Sequence, residues 1–338
     1  MRRSKGISTT LVALAASALV AIPPACAAFS ARAENAGNVV SAANDFRAPQ
    51  VTAVAIGKAA GGASGFVKQG GSYFVYANVA ADTGKPASGI ASVRADVHNV
   101  TIGATGIPLS AGSFSAGGVA YGYRSAALSA DAMLAQGTKS FAVTATDNAL
   151  NSAGREGMVS VDNTPPAATD VQTANAGTNG RAEQGDSLTF SFSEPVEPET
   201  ILAGWSGGAT PVVVHLIDNG LLALPLGNDA LQVYDGADTA PLPLGTVDLG
   251  RGDYVAGLLG GELRFGASGT ASTMTMSGNT IAIVFGAYNA TPVLDPFRTT
   301  AGGAGTMSWT PTATPTDRAS NPTSTAAAGE SGGADRDF

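Results

Sequence analysis

The chain reads as an all-β protein: two tandem antiparallel β-sandwiches behind a cleaved signal peptide, with a disordered C-terminal tail. Three observations predict this. Short alternating runs of apolar and polar residues recur between Gly-rich turns from Pro49 to Asp317. A double-proline break at Val161-Asp162-Asn163-Thr164-Pro165-Pro166 divides those runs into two groups. The first 27 residues have the basic, apolar and small-residue zones of an export signal.

The signal is justified first. Arg2, Arg3 and Lys5 precede an apolar run from Leu11 to Ile22, and Pro23-Pro24-Ala25-Cys26-Ala27 follows. A run of that length is too short for a bilayer span, which needs about 20 apolar residues. Cleavage is expected at Ala27 and Ala28, leaving residues 28–48 as an N-terminal segment. Cys26 is the one cysteine of the chain. It departs with the signal, so the mature protein must rely on cores and backbone ladders instead of disulfides.

The first sandwich is expected over 49–163. Val93-Arg94-Ala95-Asp96-Val97-His98 alternates with period two, as does Val119–Arg124. Ser72–Val79 and Lys139–Thr146 are rich in aromatic and β-branched residues, and Val51–Ile56 and Met158–Val161 are the outer strands. Ser129–Ala135 is the sole helix-like piece, a single turn. Two adjacent prolines remove two backbone donors, so no sheet continues through Pro165-Pro166. The second, larger sandwich is expected over 164–317. Its best strand is Ser187–Ser193, with Leu188, Phe190 and Phe192 on one face. Val212–Ile217, Leu221–Leu226, Leu231–Tyr234, Met274–Met276, Thr280–Phe285 and Thr306–Trp309 are further candidates. Glu197–Leu202 suits one helical turn, and an extra hairpin is expected between Asn219 and Gly269. Residues 318–338 lack apolar periodicity and are expected to be disordered.

Three stretches resemble known families. Asp162-Asn163-Thr164-Pro165-Pro166, after Phe141–Asp147, is similar to the end of bacterial Ig-like repeats. Gly185-Asp186-Ser187 through Phe192-Ser193-Glu194-Pro195-Val196 resembles the early strand of another bacterial Ig-like family, whose closing D-x-A-G-N is partly matched by Asp317-Arg318-Ala319-Ser320-Asn321. The resemblance implies two tandem Ig-like β-sandwiches. Ala27-Ala28-Phe29-Ser30, with Asn35–Asn38 and Asp45-Phe46, is similar to the cleavage region of camelysin/TasA-type precursors. That resemblance implies a cell-surface or matrix destination.

Composition narrows the function. A formal net charge of −8 without Lys/Arg clusters disfavours nucleic acid and anionic membranes as partners. No catalytic residues are expected. Gly204-Trp205-Ser206-Gly207-Gly208 fits the G-x-S-x-G elbow, but a turn into a strand follows Ser206 where a helix is needed. The two histidines, His98 and His215, receive structural or surface roles. Arg251-Gly252-Asp253 matches an integrin-binding tripeptide, which chance in a Gly-rich chain explains. No cofactor is expected apart from calcium, whose candidate ligands are Asp147, Asp162 and Asn163; turn chemistry explains these residues as well.

The expectation is therefore a non-enzymatic, secreted structural or adhesive module whose partner is a surface component, a matrix component or itself. A carbohydrate-binding protein working beside a separate hydrolase is the alternative. It requires exposed aromatics, whereas Trp205 and Trp309 stand apart and the tyrosines fall in strand patterns.

Overall fold

A computed structural model describes residues 33–35, 38–40, 45–58, 62–81, 87–220, 227–257, 261–290 and 297–338. The signal region, its cleavage residues Ala27 and Ala28, and the strand expected at Leu221–Leu226 lie outside the described residues. The described chain is all-β. Its single helical turn is the 3-10 turn Pro198–Thr200, inside the stretch expected to hold one. Strands β1 (Ala33–Asn35) and β2 (Asn38–Val40) pair as a separate hairpin.

The first domain contains β3 (Gln50–Lys58), β4 (Phe66–Val67), β5 (Ser72–Ala80), β6 (Ile90–Asp96), β7 (Ile107–Ala116), β8 (Val119–Ser125), β9 (Leu128–Ser129), β10 (Gly137–Asp147) and β11 (Ser152–Val161). One layer runs β3-β5-β8-β7, and the other runs β6-β10-β11-β4. Strand β7 joins them: Ile107 and Pro108 pair with β6, and the rest of the strand pairs with β8. On the opposite edge β4 pairs in parallel with the end of β11. Alternation puts Val93 and Ala95 of β6, and Phe141, Val143 and Ala145 of β10, into the core between the layers. The expected helical turn at Ser129–Ala135 is a non-helical turn that follows β9.

The second domain contains β12 (Ala168–Ala174), β13 (Ser187–Phe192), β14 (Thr210–Asp218), β15 (Ala230–Asp235), β16 (Thr246–Asp248), β17 (Val255–Ala256), β18 (Gly261–Phe265), β19 (Ser272–Ser277), β20 (Thr280–Val284), β21 (Tyr288–Ala290), β22 (Phe297–Arg298), β23 (Ser308–Thr310) and β24 (Ala328–Gly329). The main sheet runs β12-β13-β20-β19-β14-β15-β16-β23-β24, with β18 against β14. It curls so that its ends meet through side chains. Asp170 of β12 accepts hydrogen bonds from the Ser331 amide (2.8 Å) and hydroxyl (2.9 Å) just past β24. Trp309 fills the centre, fully buried against Phe190 and Phe192 at 4.8 and 4.9 Å between ring centroids. The extra segment expected between Asn219 and Gly269 is present as β15 to β18.

Residues 318–338, expected to be disordered, are instead ordered against the second domain. Ala319, Asn321, Thr323, Asp337 and Phe338 are buried. The segment's main apolar contribution is Phe338, packed on Tyr254 and Phe285 at 5.7 and 5.3 Å between ring centroids. It is also held by hydrogen bonds: Asn321 to Asp317, the Thr323 amide and hydroxyl to the Pro315 carbonyl, and the Glu330 amide to the Met307 carbonyl. Composition rules count apolar residues, and these polar anchors fall outside that count.

Candidate functional site

Both domains carry the same five-residue loop after their penultimate strand, Asp147-Asn-Ala-Leu-Asn151 and Asp317-Arg-Ala-Ser-Asn321. In each, the Asp amide donates to the Asn carbonyl (3.0 and 3.1 Å), and the fourth residue's amide donates to the Asp carbonyl. That fourth residue, Leu150 or Ser320, takes a positive φ of 70° or 72°. This is unusual for a side-chain-bearing residue and is held by the surrounding bonds. The Asp carboxylate accepts from the Asn amide and side chain, at 2.8 and 2.9 Å in the first loop and 2.7 and 2.7 Å in the second. Finally the Asn side chain reaches back to the segment that enters its domain, donating to the Asp45 carbonyl (3.1 Å) or the Asp162 carbonyl (2.9 Å).

The second copy of this loop lies at the joint between the domains. Lys68, just after β4, donates to the Ser320 carbonyl at 2.6 Å. Arg318 lies over the Phe66 ring at 5.7 Å. Lys58 at the end of β3, nearly buried, pairs with Glu197 of the second domain at 3.6 Å, and Glu197 also accepts the Ala63 amide at 3.2 Å. Asn163 in the linker accepts from the Gln69 amide and donates to the Leu134 carbonyl, both at 2.8 Å. A cleft of about 600 Å³ opens beside these contacts, lined by Lys58, Tyr76, Ser115, Glu197, Trp205 and Arg318 among others.

Three carboxylates meet at the same joint: Asp162 of the linker, Glu194 after β13, and Asp317, with one oxygen from each within 4.8 Å of the others. Glu194 Oε1 is buried and lacks a hydrogen-bond partner. Burial, then the charges of Asp162 and Asp317, push the Glu194 carboxyl up to about 7. Asp317 is pushed up as well, by burial first and against the bonds from Asn321. These three residues are the ones at the joint that could hold a hard cation.

Of the sequence candidates for calcium, the structure brings only Asp162 into this cluster. Asp147 is buried in the other loop with both oxygens engaged by Asn151, and both ends of the Asn163 amide are used. Glu194 and Asp317 escaped selection because their convergence needs the domain packing. Asp317 nevertheless stood in the recognised D-x-A-x-N stretch.

The structure does not assemble the hydrolase elbow. Trp205 is buried with its indole N–H on the Gly208 carbonyl at 2.5 Å. His215 is buried, with one ring nitrogen 3.0 Å from Glu262 and the other 2.6 Å from Asp238, and its ring stacks on Tyr234 at 3.8 Å. Neither nitrogen is left to activate Ser206. His98 is exposed and bonded to Asp96 at 2.6 Å, a bond that holds the Asp96 carboxyl below its usual range. Arg251 and Asp253 of the integrin-type tripeptide bind each other at 2.8 and 2.5 Å, so the two charges are spent on one another.

An aromatic patch does exist outside the two cores, where Phe74, Phe114, Tyr76 and Tyr121 gather on the outer face of β5, β7 and β8. Arg124 lies over Phe74 and Phe114 at 4.3 and 4.4 Å, covering the faces a sugar would stack on. Both tryptophans are buried. Among the described residues no helix is long and apolar enough to cross a membrane.

The described residues thus define an all-β protein whose two large sheets form sandwich- or barrel-like arrangements, with the second copy of the Asp–Asn loop lying where they meet. No family model matches the chain, and no curated protein matches it. A solved structure, dimeric latent PorU from Porphyromonas gingivalis, aligns over 71% of this chain and 20% of its own, at 14% identity and a TM-score of 0.19. The chain therefore spans a fifth of that protein's length, and at that score the likeness bears on neither fold nor function.

Proposed function

We propose that this is an exported, non-enzymatic protein of two Ig-like domains, acting at the cell surface or in the matrix as a spacer and adhesive platform. The observation that carries the reading is the repeated Asp–Asn loop, which bonds to Asp45, Ser88 and Gly89 in the first domain and lies at the joint in the second. Strand order supports the Ig-like part. The layers β3-β5-β8-β7 and β6-β10-β11 follow the A-B-E-D and C-F-G order of that fold, with β4 as the portion of the first strand that crosses over. The second domain departs from it by inserting β14 and β15 between the two halves. A fold alone does not confer a function. The bonded state of His215 and the covered aromatic faces are what favour a structural role over hydrolysis or sugar binding. Calcium enters this reading at Asp162, Glu194 and Asp317, where a cation would offset three converging charges.

Fractionation of the producing cell, with mass spectrometry of the mature N-terminus, tests the proposal. A surface or matrix protein beginning at Ala28 or Phe29 supports it. A soluble protein retaining its signal, or a lipidated Cys26, counts against it and moves ligand binding to the front.

A further inference from the structure

Strand β14 carries Val212, Val214 and Leu216 into the core of the second domain, and β15 carries Leu231 and Val233. Period-two alternation continues one step beyond each set. It puts Asp218 and Asp229 on the same inward face, and the register that pairs Ile217 with Ala230 makes them opposite neighbours at the neck of the hairpin. Asp229 is 0% exposed and Asp218 7%. Each spends one oxygen on the main chain: Asp229 Oδ2 accepts the Tyr254 and Val255 amides at 2.9 and 3.0 Å, and Asp218 Oδ1 accepts the Gly220 amide at 2.6 Å. The other oxygens, Asp229 Oδ1 and Asp218 Oδ2, are buried with no hydrogen-bond partner. Among the described residues neither carboxylate has a Lys, Arg or His partner; the nearby Arg251 is spent on Asp253.

Burying an unpaired carboxylate is costly, and two across one hairpin are costlier still. The bonds that orient them make the arrangement fixed: besides its side-chain contacts, Asp229 is tied by its own amide to the Arg251 carbonyl (2.7 Å) and by its carbonyl to the Leu249 amide (2.9 Å). Anionic oxygens held in place and left without donors are the kind of ligand a hard divalent cation takes, and these two are part of the roughly six to eight oxygens that calcium collects. We infer that Asp218 and Asp229 form a buried divalent-cation site, calcium by class, that closes the end of the second domain's core. Burial and the neighbouring charge of Asp218 also push the Asp229 carboxyl up to about 7, as expected for an anion lacking its counter-charge. This site is separate from the joint and does not depend on the surface role proposed above.

The test uses the full chain stripped with EDTA, then titrated with calcium chloride by calorimetry and by thermal unfolding. Calcium is expected to raise Tm by several degrees at a large excess over Kd. Asp218→Asn and Asp229→Asn should each lose one equivalent of uptake and the accompanying rise, whereas Glu156→Gln, at an exposed carboxylate of the first domain, should keep both. No uptake by the wild type, or full uptake by both Asn variants, overturns the site. If the Asn variants do not fold, terbium luminescence of the wild type decides the matter. Tyr254, whose amide touches Asp229, should sensitise it, calcium should quench it by displacement, and Tyr254→Phe should reduce the emission while keeping calcium uptake. Emission unchanged in Tyr254→Phe would put the ion elsewhere and overturn the proposal.

Discussion

The loops Asp147–Asn151 and Asp317–Asn321 share backbone and hydrogen bonds yet meet different surroundings. Leu150 in the first is 82% exposed, with Phe46 nearby at 66%. In the second, Ala319 is 3% exposed and the Ser320 carbonyl is capped by Lys68 of the other domain. One closed turn therefore ties Asp45, Ser88 and Gly89 together within one domain and serves as a bearing between domains in the other. What differs is the residues around it: a lysine within reach, and two acidic groups facing Asp317.

The comparison breaks most severely if the two cores are not independent. Trp309→Ala should cost the second domain about 3–5 kcal/mol, as large aromatic truncations do. Calorimetry should then resolve an early transition for that domain, with the first domain still melting near its original temperature. A joint fall of both transitions would mean that the units fold as one.

Next in size is the buried pair across the joint. Lys58→Ala strands the Glu197 carboxylate, which keeps only the Ala63 amide, and losing one partner of a buried pair costs about 3 kcal/mol or somewhat less at this partial burial. Limited proteolysis should find the linker near Pro165 cut faster, with each domain surviving as a fragment.

Asn151→Ala and Asn321→Ala sharpen the contrast between the loops. Each takes the side-chain donor from one oxygen of a buried Asp while the backbone amide still serves the other, a cost of about 1–3 kcal/mol. The first should lower only the melting of its own domain, whereas the second should also separate the two transitions by releasing the Asp162 carbonyl.

The smallest effect is a pH slope. Burial is the main reason the Asp337 carboxyl is pushed up to about 7. An unfolded Asp titrates near 3.9, so between roughly pH 4 and 7 the folded chain holds a proton that the unfolded chain has released. This contribution is present in full below about pH 4 and is lost as pH rises through about 7. Unfolding followed in urea across that window should weaken with pH, and Asp337→Asn should flatten the slope. A stability that instead rises with pH by this residue's share would contradict the assignment.

Much of the fold was legible in the sequence, and particular residues explain where legibility ended. Leu188, Phe190 and Phe192 announced β13, and the structure buries all three almost completely. The Pro165-Pro166 break lies between the two sheets. Strand β7 was missed because Ser110–Ser113 offers small residues without apolar alternation; pairing with β8 makes it a strand. The ordered C-terminal segment was missed for the reason given above. Asp218 and Asp229 were invisible because a strand pattern records apolar positions and stops counting at the first polar one. Here the inward face continues one residue further.

The Asp317–Asn321 loop should make the domain junction a fixed joint. The most direct measurement is a spin-label distance between Leu150→Cys and Ala267→Cys, one exposed site on each domain, in a chain whose Cys26 is replaced by Ser. A single narrow distance distribution that broadens in Asn321→Ala is the predicted result. A broad distribution in the parent chain, or one that Asn321→Ala leaves unchanged, would contradict it.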